Sequence, residues 1–270
     1  MPELPEVETT LRGVEPFLAN ATVDAMIVRE PRLRWPVPDD LAARIEGQQV
    51  VGLRRRAKYL LVDFEQGSVI VHLGMSGNLR VVDKSTPLKK HDHVDMVLSS
   101  GKVVRFNDPR RFGCVLWQDK GTEHERLLGL GPEPLTEDFN AEGLAKAAKN
   151  SSRPIKQLIM DNKVVVGVGN IYANEALFKA GIRPTRPANK ISKVRLTSLT
   201  DEIKVVLAKA IAQGGTTLKD FVGSDGKPGY FQQTLQVYGR AGQPCGQCST
   251  LLKEVRMSGR ATVFCPECQR

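Results

Sequence analysis

The sequence predicts an α+β chain in two parts, a helix-capped β-sandwich followed by a helical half that ends in a four-cysteine finger. Three observations carry this. Eight short runs rich in Val, Leu, Ile and aromatic residues follow one another between residues 23 and 118, each bounded by Gly, Pro, Asn, Asp or charged turns. Helical periodicity takes over after residue 140. Cys245-x-x-Cys248 and Cys265-x-x-Cys268 close the chain with the spacing of a metal ribbon.

The first helix is read from Val7, Leu11, Val14 and Leu18, which recur at helical spacing. Its start is Met1-Pro2-Glu3-Leu4-Pro5-Glu6, where Pro in the first turn and Glu residues against the positive end of the dipole are what any helix N-terminus favours. The same residues also make a reactive group. Removal of Met1 before a small second residue leaves Pro2 as a free secondary amine, with Glu3 and Glu6 within one turn. Both readings stand on the hexapeptide alone.

The sandwich strands are expected at Val23–Val28, Val50–Leu53, Tyr59–Phe64, Ser68–Leu73, Leu79–Val82, His93–Leu98, Lys102–Phe106 and Cys114–Gln118. Three stretches among them carry unusual chemistry. Arg54-Arg55-Arg56-Ala57-Lys58 opens a strand, and alternation sends Arg54, Arg56 and Lys58 to one face, either a phosphate-tracking stripe or a solvated one. His72-Leu73-Gly74-Met75-Ser76-Gly77 puts Met75 in a glycine-flanked turn, where core packing is the ordinary use of Met and a wedge into stacked bases is the other. Asp108-Pro109-Arg110-Arg111-Phe112-Gly113 sets two guanidiniums beside an aromatic ring, an arrangement suited to filling the gap left by an extruded nucleotide. His91-Asp92-His93 lacks a third ligand and reads as loop, and Cys114 reads as a small buried apolar residue.

A breaker-rich stretch over residues 129–139 reads as a linker. Helices are expected at Ala141–Lys149, Ile155–Met160, Ile171–Ala180 and Lys193–Ala212. The loop at 161–169 brings Gly167 and Gly169 ahead of Asn170 as N-cap, which suits a phosphate at the helix start or an ordinary capped loop. Residues 214–233 are glycine-rich and read as a mobile loop, a lid or a passive surface segment. The finger should form a hairpin from Leu251–Val255 and Ala261–Phe264, with Met257-Ser258-Gly259-Arg260 at its tip.

Charge separates the halves. Residues 1–140 hold 19 Lys and Arg against 21 Asp and Glu, net −2, whereas residues 141–270 hold 20 against 9, net +11. A basic half of this kind points to nucleic acid, since no basic amphipathic helix with an aromatic face argues for membrane. No apolar run reaches spanning length and the charged, Glu-rich N-terminus lacks the apolar region of a signal peptide, so a cytoplasmic protein is expected. Four thiolates closing a tetrahedron imply one structural Zn(2+), with rubredoxin-like iron as the competitor. No heptad argues for a second subunit, so a monomer is expected.

Taken jointly, PELPEVET at 2–9, RRAKYLL at 55–61, HLGMSG at 72–77, DPRRFG at 108–113, LGPEPL at 130–135, MDNKVVVGVGNIYANEALF at 160–178, GGTTLKDFVGSDGKPGYF at 214–231 and the four-cysteine finger resemble the bacterial formamidopyrimidine-DNA glycosylases over essentially the whole length. The resemblance implies a catalytic helix and sandwich at residues 1–130, a linker and helix-two-turn-helix domain with a lesion-capping loop at 131–235, and a zinc finger at 236–270, arranged about a DNA cleft. It implies excision of oxidised purines from duplex DNA and β,δ-elimination at the abasic site. Pro2 resembles the Schiff-base nucleophile, Glu3 the acid/base and Glu6 its support, while Lys58 resembles a holder of the phosphate or damaged base. Met75, Arg110 and Phe112 resemble void-filling residues. Lys156, Asn170 and Arg260 resemble phosphate clamps, with Arg260 grouped with the catalytic set. His72, His91, Arg111 and Tyr238 are assigned to DNA contact in the same way. Thr217 to Tyr230 resembles the loop over a flipped base. The expected partner is damaged double-stranded DNA, with no membrane and no nucleotide cofactor. The alternatives are an oxidised-pyrimidine glycosylase of the endonuclease VIII branch, disfavoured by Leu4, and a zinc-ribbon DNA-binding protein without catalysis.

Overall fold

A computed structural model describes residues 2–215 and 235–270. The chain divides into two compact units, residues 1–128 with 213–230 and residues 129–212 with 231–270. The expected lid at Thr217–Tyr230 lies outside the described residues.

In the first unit, α1 (Leu4–Leu18) is followed by β1 (Val23–Val28), a short α2 (Leu41–Ile45), β2 (Gly52–Arg56), β3 (Tyr59–Phe64), β4 (Gly67–His72), β5 (Asn78–Asp83), β6 (Asp92–Leu98), β7 (Lys102–Asn107) and β8 (Cys114–Asp119). These strands form two antiparallel four-stranded sheets, ordered β1-β6-β7-β5 and β2-β3-β4-β8. Alternation sends Leu60, Val62 and Phe64 of β3, Val69 and Val71 of β4, and Val94, Met96 and Leu98 of β6 into one shared core. In β1 the inward pair is Val23 and Met26, three apart, because the register shifts between Val23 and Ala25.

Helix α1 closes this core with Val7, Leu11, Val14 and Leu18, all buried, and packs on β2, β3 and β5. Arg55 of β2 reaches Glu8 of α1 at 2.9 Å, a half-buried pair that fixes the helix against the hairpin. Cys114 is fully buried, and burial pushes its thiol pKa up to about 12. It behaves as the inert small residue expected.

The second unit contains α3 (Ala141–Lys149), α4 (Ile155–Ile159), α5 (Asn170–Lys179), α6 (Lys193–Ala212) and the hairpin β9 (Lys253–Met257) and β10 (Arg260–Phe264). Helix α5 is buried nearly all round, packed between α4, α6 and β10. The hairpin turns on Ser258 and Gly259, both at positive φ, so Met257 and Arg260 are facing strand residues and not the tip itself. Leu251 is also outside the hairpin; it bridges Pro244 and is exposed. No helix among the described residues is long and apolar enough to cross a membrane.

Candidate active site

The start of α1 is built by a reciprocal capping box. Glu3, at the N-cap, accepts from the backbone of Glu6, while the Glu3 N–H donates to Glu6 Oε2 at 2.8 Å. Both carboxylates are buried, Glu3 at 2% exposure and Glu6 at 0%, and Pro2 is buried beside them. Gly215, at φ +77°, approaches so closely that a Cβ there would lie 3.2 Å from Glu6 Oε1. Helix formation alone needs neither burial nor two carboxylates. Their joint burial behind an N-terminal proline is what sets this helix start apart.

Lys58 is not on the strand face expected for it. β2 ends at Arg56, Ala57 takes φ +53°, and Ala57-Lys58 form the two-residue turn into β3. Ala57 adopts the left-handed conformation a tight hairpin requires, and this ends the alternation one residue early. Arg54 is tied across the hairpin to Asp63 at 2.9 Å, so the proposed stripe Arg54, Arg56, Lys58 does not form. Lys58 instead lies close enough to His72 to lower its pKa.

Two further turns are locked to one buried carboxylate. Asp108, fully buried, accepts from Ser76 Oγ (2.8 Å), the Arg110 N–H (3.2 Å) and the Gly113 N–H (2.8 Å). Its carbonyl meets His93 Nε2 at 2.8 Å, and its N–H donates to the His91 carbonyl at 3.1 Å. The Met75 turn and the Arg110–Phe112 turn therefore share a post. They also touch through backbone, since a Cβ at Gly74 would collide with the Gly113 nitrogen and the Phe112 carbonyl carbon. On the outside of this assembly Met75 is 37% and Phe112 40% exposed, with the Arg110 guanidinium 4.8 Å from the Phe112 ring centre. Met75 is thus surface, not core. Arg111, at φ +55°, pairs with Glu30 at 3.3 Å. His91, also at positive φ, is half-buried, and the only potential metal-ligand cluster among the described residues is the four cysteines.

His72 completes the Met75 turn by accepting the Gly74 N–H on Nδ1 at 3.0 Å. Burial, then the nearby charges of Lys58 and Arg34, lowers its pKa from 6.5 to about 4. The neutral ring is the form that can accept. Its contribution to stability is complete above about pH 6.5 and is lost as the pH falls towards 4, at up to about 1.4 kcal/mol per pH unit. Denaturant unfolding at pH 7 and pH 4.5 should therefore show a larger acid loss in the wild type than in His72→Asn, whose side-chain oxygen accepts at either pH. Equal losses would remove His72 from this role.

In the second unit, Lys156, Asn170 and Arg260 line one concavity of about 290 Å³ with Arg153, Gln157 and Ser258. Arg260 is exposed. Lys156 is only 2% exposed, and its ammonium donates to Asn170 Oδ1 (2.6 Å), Thr262 Oγ1 (2.7 Å) and the Ala261 carbonyl (3.2 Å). Gly169 is the N-cap of α5, so Asn170 is its first helical residue. Its side chain turns to Lys156 and to the Ala261 carbonyl at 3.1 Å, where it holds the hairpin.

Two residues missed in the sequence extend this function of α5. Asn174 accepts the Val263 N–H at 2.9 Å, and Glu175 accepts the N–H groups of Gln236, Val237 and Tyr238 at 2.8–3.0 Å. Burial raises the Glu175 pKa, and the three amides oppose that rise. Polar residues at successive positions of a helix buried all round were the available signal. Tyr238, half-buried, is positioned through this carboxylate.

The four cysteine sulfurs lie within 4.8 Å of one another, with Cys245–Cys268 at 3.9 Å and Cys248–Cys265 at 3.5 Å. A tetrahedron with 2.3 Å metal–sulfur bonds has edges of about 3.8 Å. The Gln247 and Cys268 amides donate to Cys245 and Cys265 sulfur at 3.4 Å, the contacts that orient thiolate ligands. The donor set fits a closed zinc site.

Family models match the chain in three consecutive stretches: the formamidopyrimidine-DNA glycosylase N-terminal domain over residues 1–115, its H2TH domain over 130–222, and a zinc finger found in FPG and IleRS over 242–270. The formamidopyrimidine-DNA glycosylase of Stutzerimonas stutzeri (strain A1501) is 57% identical across all 270 residues, covering both chains completely. The chain belongs to the formamidopyrimidine-DNA glycosylase family. It is a DNA glycosylase with a zinc-finger module, of the α+β, helix-capped-sandwich and helix-two-turn-helix architecture.

Solved structures of formamidopyrimidine-DNA glycosylases agree along the chain. The Lactococcus lactis Fpg in complex with abasic-site DNA superposes with a TM-score of 0.93 at 32% identity, covering 99% of both chains. The Lactococcus lactis G226P mutant with Fapy-dG DNA gives 0.93 and 32%, covering 100% of both.

Proposed function

We propose that this chain excises oxidised purines, 8-oxoguanine and formamidopyrimidines, from duplex DNA and cleaves the resulting abasic site by β,δ-elimination, using Pro2 as nucleophile once Met1 is removed. The observation that carries this is the pair of buried carboxylates fixed by mutual capping at the helix start that presents Pro2. The lone pair of the secondary amine attacks C1′ of the damaged nucleotide. Glu3 gives a proton to the sugar ring oxygen, the ring opens, and the base departs with the glycosidic electron pair and a proton. The resulting iminium acidifies the C2′ hydrogen. Its removal expels the 3′ phosphate, and a second elimination expels the 5′ phosphate. Hydrolysis of the iminium restores the amine. Glu6 holds the Glu3 backbone and so acts as a positioning residue.

Lys58 holds the phosphate or the damaged base near this helix start. Met75, Arg110 and Phe112 fill the space of the everted nucleotide, and His72, His91, Arg111, Lys156, Asn170, Arg260 and Tyr238 contact or position the duplex. One structural zinc ion on Cys245, Cys248, Cys265 and Cys268 supplies rigidity to the hairpin and no chemistry. The protein acts as a cytoplasmic monomer. The Lactococcus lactis complexes with abasic-site and Fapy-dG DNA support the substrate class.

Borohydride reduction tests the reading. A covalent adduct should form with duplexes containing 8-oxoguanine or an abasic site, and oxidised pyrimidines should give much less. No adduct on any lesion leaves only a DNA-binding protein, and preference for pyrimidines places the chain with the other branch.

A further inference from the structure

We propose that Arg34 and Arg126, both stacked on Trp35, form an additional DNA-phosphate contact in the catalytic unit. This rests on the glycosylase reading. Trp35 is half-buried, with the Arg126 guanidinium carbon 4.0 Å from its ring centre and that of Arg34 at 5.0 Å. Among the described residues, the Arg34 guanidinium has no hydrogen-bond acceptor and no carboxylate partner; its only polar link is the backbone N–H, which donates to the Gly113 carbonyl at 3.1 Å. The Arg126 guanidinium has one partner among the described residues, the exposed carboxylate of its neighbour Glu125 at 3.1 Å, and its buried Nε has no acceptor; the backbone N–H donates to His124 Nδ1 at 3.1 Å.

The two guanidiniums also act on the same neighbours. Arg34 and Lys58 both act on His72, and Arg34 and Arg126 both act on Tyr59 and Cys114. Tyr59 follows Lys58 directly, and its ring centre lies 4.8 Å from that of His72. Two guanidiniums therefore share one indole, and among the described residues Glu125 is the only carboxylate paired with either. Like charges this close repel until an anion neutralises them. An indole holds a guanidinium flat and leaves its N–H fork open, the geometry that takes a phosphate oxygen pair. The Gly113 link sets the cluster beside the turn bearing Arg110 and Phe112. The phosphate it fits is one of the duplex held there, and not a free anion.

The test is the salt dependence of duplex affinity for the zinc-loaded full chain, measured on undamaged DNA and on an uncleavable abasic analogue. Each of Arg34→Gln and Arg126→Gln should lower the slope of log affinity against log salt by about one. Between about 50 and 200 mM salt the double variant should then lose roughly tenfold less affinity than the wild type. The change should be equal on both duplexes, because phosphate contacts carry no base information, and Arg126→Lys should keep the wild-type slope. Thermal melts at wild-type temperature establish that the variants fold. A double variant with the wild-type slope overturns the proposal, and marks the stack as a solvated surface feature. Absence of any borohydride adduct in the wild type would overturn the glycosylase reading instead, with the slopes still deciding the phosphate contact.

Discussion

A chain that keeps an uncleaved residue ahead of Pro2 should give no borohydride adduct, a loss on the order of 10⁴-fold or more, the scale seen when a covalent nucleophile is removed. The reason lies in one atom. As a free secondary amine, Pro2 nitrogen has a lone pair and an ordinary pKa of about 7.7–8.0, so a useful fraction is neutral at neutral pH. Acylated by Met1, the same nitrogen is a tertiary amide whose lone pair is delocalised into the carbonyl. Such an extension leaves Glu3, Glu6 and the Met75 and Arg110–Phe112 turns in place, so affinity for an abasic analogue should change far less than trapping. Glu3→Gln should retain binding and lower base excision by about 10²- to 10⁴-fold, the range for a lost acid/base group. An extended chain that still traps DNA would show that another amine does the chemistry.

Removing the metal should abolish DNA binding while leaving the sandwich folded. The finger's own apolar cluster is small, made of Phe178, Val237, Leu252 and Val263 with the cysteines, and cannot hold 30 residues by burial. Structural zinc contributes an apparent 10–16 kcal/mol in isolated fingers at about pH 7. The consequence reaches beyond the finger, because β10 supplies Thr262 and the Ala261 carbonyl to Lys156, and Ala261 also anchors Asn170. Chelation, or Cys248→Ser, should therefore lose the Arg260 hairpin and loosen the Lys156–Asn170 concavity together. Buried Trp117, packed 6.4 Å from Phe64 in the sandwich core, should keep its native fluorescence. Metal analysis of the untreated protein should give one zinc per chain. Normal DNA binding by metal-free protein would contradict the structural assignment.

Periodicity made the strands and long helices legible before any coordinates, because burial repeats every two or every 3.6 residues and leaves that spacing in the chain. The five-residue α2 is too short to show a period. The role of Lys58 as strand or turn depended on Ala57 taking a left-handed conformation, which alanine rarely signals. The cysteine ligands were legible because metal chemistry restricts both residue type and spacing.

What the sequence hid were partners far apart along the chain. Lys156, expected as a phosphate clamp, is also a buried crosslink to Ala261 and Thr262, 105 and 106 positions away. Asp108 was one letter of a motif until its side chain was found bracing two turns, with Ser76 32 positions away. Glu175 and Asn174 sat unremarked in a helix, and Arg126 between the last strand and the linker. Each is a polar group whose meaning is its partner, and no local pattern encodes that.

The central claim is that the reacting amine is the N-terminus. Mass spectrometry of the borohydride-reduced complex, digested to peptides and nucleosides, reads this directly. The account predicts a sugar remnant on the peptide beginning at Pro2, attached to its nitrogen, with Met1 absent. A remnant on a lysine, Lys58 or Lys156 above all, or on a peptide that still begins with Met1, would contradict it.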